Sequence, residues 1–126
     1  MKLQFLDSQF SICRLDPADP IPGWANGEFV AIVRTVEELT IIAATSEVPN
    51  DVTAEHDYAC FRVAGRMDFD VVGVIAAISR ELADARIPIL AVSTFDTDYF
   101  FVKSAMRNLA QQKLVAADYE FSMNEG

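Results

Sequence analysis

The residues best placed to do chemistry lie between Cys60 and Tyr99. Ala64-Gly65-Arg66-Met67-Asp68-Phe69-Asp70 stands between an apolar strand and an apolar-faced helix, and Phe95-Asp96-Thr97-Asp98 closes a second strand. The first turn of a helix presents free backbone amides, which favour anions. Asp68 and Asp70 compete with an incoming anion there and tilt the site toward a cation or a zwitterion. These residue types suit non-covalent binding rather than bond-making. Each also has a structural use. Asp68 fits the N-cap of the helix, worth about 1 kcal/mol. Asp96 and Asp98 suit a turn, because aspartate bonds its own backbone locally. Gly73 allows close packing or close approach of a ligand.

Covalent catalysis has little support. A nucleophilic Ser, Cys or Thr needs a base beside it, and the chain has one histidine, His56, in a polar connection read as a solvated linker. Its neighbours Asp51, Glu55 and Asp57 hint at metal, but a single histidine without cysteine partners is a poor ligand set. Neither a metal nor another cofactor is expected, and no catalytic residue is assigned. Arg66 is a lone candidate for phosphate, without an amide-rich cradle around it.

The elements that must position these groups follow from pattern. Phe10–Leu15, Glu28–Arg34, Thr40–Ala44 and Tyr58–Val63 read as strands. The segment 16–27 holds Pro17, Pro20 and Pro22 and two glycines, so it is neither regular helix nor central strand. Thr35-Val36-Glu37-Glu38 fits a capping box and a short helical turn. Thr45–Asp57 reads as a polar connection. Val71, Val74, Ile75, Ile78 and Leu82 share one face of a helix capped by Asp68. Ile87–Thr94 and Tyr99–Lys103 form a hairpin. Ser104 caps a last helix with Met106, Leu109, Ala110 and Leu114 inward, and Tyr119–Ser122 closes the sheet as an edge strand. The second half is thus β-α-β-β-α-β, an α+β, ferredoxin-like order with two helices on one face of an antiparallel sheet.

The first half repeats this pattern. Ala31–Thr35 matches Leu90–Thr94 at an offset of 59 (90 minus 31), and Ile12–Leu15 matches Cys60–Val63 at an offset of 48 (60 minus 12). The difference is about three helical turns, so the first unit lacks its first helix, which the proline loop replaces. Two units are expected, 1–57 and 58–126, packed as one compact domain. A missing helix bares a sheet face, and Trp24 is the residue to cover it.

Composition bounds the function. The 126 residues are 52% hydrophobic with a net charge of −9, enough for a real core. Acidic charge spread along the chain argues against nucleic acid and anionic membranes. No apolar run reaches membrane-spanning length, and the start is too short in apolar residues for a signal peptide. Cys13 and Cys60 read as buried, reduced thiols of a cytoplasmic protein.

Arg34-Thr35-Val36-Glu37-Glu38-Leu39-Thr40 and Ser93-Thr94-Phe95-Asp96-Thr97-Asp98-Tyr99 are the most specific parts of a wider resemblance. With Arg14–Pro17, Pro22–Trp24 and Phe61–Gly65 they resemble the ACT-domain proteins, above all the small bacterial tandem-ACT type. Their units are similar to those of cytosolic arginine sensors and aspartate kinase regulatory regions. The resemblance covers about residues 10–120. It implies a ferredoxin-like fold, side-by-side pairing of units, and small-ligand binding between a strand–helix turn and a strand of a neighbouring unit. By motif, the ligand residues it implies are Met67, Asp68, Val72, Gly73 and Val74 at the helix start, and Thr94, Phe95 and Asp96 at the strand end. The expected function is a non-enzymatic sensor or regulatory module for an amino acid, in a homodimer. The alternative is a ligand-free module that binds protein through a sheet edge; a small enzyme on this scaffold ranks last.

Overall fold

Alternating and doubly apolar segments become eight strands and two helices in the computed structural model, which describes residues 1–65 and 72–122. In chain order these are β1 (Lys2–Phe5), β2 (Phe10–Leu15), β3 (Ala31–Arg34), β4 (Leu39–Ala44), β5 (Ala54–Val63), α1 (Val74–Asp84), β6 (Leu90–Ser93), β7 (Asp98–Lys103), α2 (Arg107–Ala116) and β8 (Glu120–Phe121). Contacts group them into two units, Ser8–Tyr58 and Met1–Asp7 with Ala59–Gly126.

In the unit Ser8–Tyr58, β4 is antiparallel to both β3 and β2, and β2 pairs on its other side with the start of β5. Cys13, Leu39, Ile41 and Ala43 form a buried cluster, and Trp24, Ala25, Val48 and Val52 pack against it. Trp24 thus covers the sheet face that a missing helix would bare. Gly27 holds φ +130°, and a Cβ there would lie 3.1 Å from that of Ala44. A larger residue would therefore have to push β4 or the loop aside.

Three local expectations for this unit are corrected. The strand expected over Glu28–Arg34 begins only at Ala31. Thr35–Glu38 is not helical: Arg34 and Leu39 pair directly, and the four residues between them close a hairpin. The Thr35 hydroxyl accepts from the Glu37 and Glu38 amides at 3.1 Å, as in a capping box. The Glu38 carboxylate does not reach back; it accepts from Arg14 at 2.7 Å and from the Thr40 hydroxyl. The strand ladder on both sides decides the geometry, and the hydroxyl caps a turn instead of a helix. Finally, the connection Thr45–Asp57 holds a 3-10 turn at Thr45–Glu47 and ends in strand from Ala54 onward. His56 is therefore a strand residue, beside a bulge where Asp57 takes φ +66°.

The second unit is the complete one. β5 pairs with β1 and β7, β7 with β6, and β1 with β8. Phe61, Val63, Phe100 and Val102 bury one sheet face against Val74, Ile78 and Leu82 of α1 and Ala110 and Leu114 of α2. This is the α+β, ferredoxin-like plan. β1 escaped the sequence reading, although its Leu3 and Phe5 alternate into the core. It lies antiparallel to β5, between β5 and the expected closing strand, so β8 joins the sheet through β1 and in parallel.

Both helices start later than expected. The N-cap of α1 is Gly73 at φ +85°, without a side-chain cap among the described residues; Asp68, expected as the cap, and Val71 lie outside the described residues. Ile75, expected inward, is 38% exposed, as is Leu109 of α2 at 40%. A 3-10 turn, Ser104–Met106, precedes α2, and Ser104 does not cap it: its hydroxyl is buried without a partner among the described residues.

The two hairpins repeat residue for residue. Ala31↔Ile42 and Arg34↔Leu39 in one correspond to Leu90↔Phe101 and Ser93↔Asp98 in the other, an offset of 59 (90 minus 31). The 3-10 turns Thr45–Glu47 and Ser104–Met106 continue the same offset (104 minus 45). Among the described residues no helix is long and apolar enough to cross a membrane.

Candidate functional site

The start of α1 is shaped by Gly73. Its left-handed backbone turns the chain into the helix, and the Ala77 amide donates to the Gly73 carbonyl at 2.9 Å. Val72 projects outward, 88% exposed, while Val74 is buried. Beside them lies a cavity of about 320 Å³. Val72, Gly73, Val74 and Ala77 line one side; Ala117, Asp118 and Tyr119, where α2 runs into β8, line the other, with Met1 between.

That far wall comes from the end of α2. The Tyr119 and Asp118 amides donate to the carbonyls of Leu114 and Val115, both at 3.0 Å, and Asp118 takes φ +73°. This is a left-handed helix C-terminus, made here without glycine. Burial, and then the nearby Glu81 carboxylate, push the Tyr119 phenol above its ordinary value, so it stays a hydrogen-bond donor. Tyr119 and its neighbours were not among the sequence candidates. The available signal was an aromatic shortly after two small residues at a helix end, Ala116 and Ala117.

The hairpin residues lie elsewhere. Thr94 closes the turn, its amide donating to the Thr97 carbonyl at 2.8 Å and its hydroxyl to the same carbonyl at 3.0 Å. Thr97 is buried, and its hydroxyl donates to the Val63 carbonyl at 2.9 Å. Asp98 accepts from the Ser93 hydroxyl at 2.7 Å. Phe95, 68% exposed, and Asp96 stand at the tip. Thr94, Phe95 and Asp96 therefore stand at a hairpin tip that Thr97 ties to Val63, whereas Val72, Gly73 and Val74 stand at the start of α1. They do not line the cavity beside Gly73. Met67 and Asp68 lie outside the described residues.

Ser11 and His56 are a nucleophile and a base in contact, Oγ to Nδ1 at 2.7 Å. The Ser11 hydroxyl also bonds the Thr45 hydroxyl at 2.9 Å, and Ser11 is 0% exposed. No substrate carbonyl reaches a hydroxyl placed so. The pair pins the bulge in β5. Cys13 and Cys60 are buried thiols outside any disulfide, and burial pushes the Cys13 thiol up, away from the reactive thiolate. No group of three or more His, Cys, Asp or Glu among the described residues is arranged to hold a metal.

Comparison with known proteins gives consistent matches. A family model described as ACT domain matches residues 53–115. A second, described only as an N-terminal domain, matches residues 8–51. No match was found among curated proteins. The crystal structure of protein Atu0741 from Agobacterium tumefaciens is 32% identical, with a TM-score of 0.92, covering 99% of this chain and 94% of that one. A Vibrio cholerae protein of unknown function, described as a possible transport protein, is 17% identical with a TM-score of 0.75, covering 91% and 88%. The alpha and beta subunits of an aspartokinase match at 17% identity and a TM-score of 0.65, covering 93% and 97%, a likeness of fold.

Proposed function

This chain belongs to the ACT-domain family, and on that premise we propose that it is a regulatory sensor that binds an amino acid and catalyses no reaction. The observation that carries this reading is the cavity between the start of α1 and the end of α2, inside the complete unit. Val72, Gly73 and Val74 form its near wall, and Met67 and Asp68 precede them in the sequence. Thr94, Phe95 and Asp96, at the hairpin tip that the Thr97 bond ties to Val63, complete the proposed ligand set. The protein works in the cytoplasm, where its two buried thiols stay reduced. Ser8–Tyr58 acts as a degenerate ACT-like module and Met1–Asp7 with Ala59–Gly126 as a complete one.

Among the described residues β3 and β6 each pair on one side only, which supports a homodimer joined through a sheet edge. Ile32 and Val33 on β3 are 40% and 56% exposed. The same edge favours the second reading, a module that binds a partner protein and no small molecule.

A thermal-shift screen of the twenty L-amino acids separates the two. A one-site ligand at 100 times its dissociation constant adds roughly 2.7 kcal/mol. A shift with one amino acid or a small group supports the sensor. Silence with all twenty at millimolar concentration favours the protein-binding module.

A further inference from the structure

We propose that Arg80 and Glu81 decide what enters the cavity beside Gly73, by holding the two charged ends of an amino acid with an apolar side chain. This rests on the small-molecule reading above and adds the groups that recognise the ligand. A second depression of about 410 Å³ is lined by Ala76, Ala77, Arg80, Glu81, Ala117 and Tyr119. It shares Ala77, Ala117 and Tyr119 with the cavity beside Gly73, so the two make one trough along α1. Alanines at 76, 77 and 117 keep the trough open where longer side chains would fill it.

Its walls change character along their length. One end is apolar, with Val72 and Val74; the other carries a cation and an anion on successive residues. Among the described residues neither Arg80 nor Glu81 makes an ion pair. A lone anion attracted to Arg80 meets the carboxylate of Glu81, and a lone cation meets the reverse. A zwitterion satisfies both, with its carboxylate on the guanidinium and its ammonium on Glu81, and this arrangement selects by repulsion as well as attraction. Tyr119 stands at the shared wall, offering its ring to the ligand body and its hydroxyl to a ligand oxygen. The side chain then runs over Ala77 and Ala117 toward Val72 and Val74, which sets the apolar class.

The test is titration calorimetry with L-valine, L-leucine, L-isoleucine and L-methionine on wild type, Arg80→Gln and Glu81→Gln. At least one of the four binds wild type, and each substitution weakens it tenfold or more. Both ligand-free variants keep the wild-type melting temperature, since neither charge has an ion pair to lose among the described residues. The amide of that amino acid binds wild type and Arg80→Gln alike, and its N-acetyl form binds wild type and Glu81→Gln alike. Full affinity for the parent amino acid in both variants overturns the proposal. So does binding of other amino acids while these four stay silent, a result that leaves the sensor reading standing. No binding by any of the twenty overturns both.

Discussion

The Thr97 hydroxyl donates to the Val63 carbonyl at 2.9 Å, and this one buried bond ties the tip of the β6–β7 hairpin to the last residue of β5. The position equivalent to Thr97 in the other unit is Glu38 (97 minus 59), whose carboxylate turns instead to Arg14 and Thr40. Thr97→Val keeps the shape and removes the donor, leaving the Val63 carbonyl without this bond. The expected loss is about 1–3 kcal/mol of unfolding free energy, read by urea denaturation. A wild-type midpoint would show that the hairpin tip is held by other contacts.

Ser104 and Thr45 are also equivalent, and their hydroxyls differ in fate. Thr45 bonds Ser11 at 2.9 Å, while the buried hydroxyl of Ser104 has no partner. At the offset of 48, the counterpart of Ser11 is Ala59 (59 minus 11), which has no hydroxyl to offer. Thr45→Ala is therefore expected to cost about 1 kcal/mol, and Ser104→Ala to stabilise by a similar amount. Opposite signs at equivalent positions, measured by the same denaturation assay, are the expected outcome.

Trp24 packs on the cluster of Cys13, Leu39, Ile41 and Ala43 in place of a helix. Trp24→Ala is expected to cost about 3–5 kcal/mol. A loss below 1 kcal/mol would mean that the proline loop covers this face without its aromatic.

The Tyr119 phenol is raised, by burial first and by Glu81 second. A group raised in the folded state contributes stability below its unfolded pKa, near 10, and that stability fades as pH rises through the folded value. Stability is thus expected to fall on the alkaline side of pH 10, and Tyr119→Phe to flatten the fall. In Glu81→Gln, phenolate absorbance should appear at lower pH. An unchanged titration would remove Glu81 as a cause.

The β6–β7 hairpin, the fold and the covering role of Trp24 were legible in the sequence because each rests on local pattern: apolar strand runs, a polar turn between them, and a proline loop that must pack somewhere; the β3–β4 turn was not, because Thr35 and Glu38 match a capping box and so read as helical. β1 was not, because four residues at the chain start carry too short a pattern, and their place beside β5 is set by a partner more than fifty residues away. The start of α1 was misplaced because a capping aspartate and apolar spacing both favoured an earlier turn, whereas Gly73 supplies the left-handed backbone that begins the helix. Val72, Gly73 and Val74 emerged from resemblance to a family. Ala77, Ala117 and Tyr119 became visible only when the end of α2 was seen beside α1, since nothing in their spacing links them.

Titration calorimetry of the twenty L-amino acids on wild type and on Ala77→Leu is the most direct test of amino-acid binding in this trough. Ala77 is exposed and shared by both depressions, so leucine there fills the space without entering the core. One amino acid or a small group should bind wild type and lose at least tenfold in Ala77→Leu, while the melting temperature of the ligand-free protein stays unchanged. Binding that survives the substitution, or no binding by any of the twenty, would contradict it.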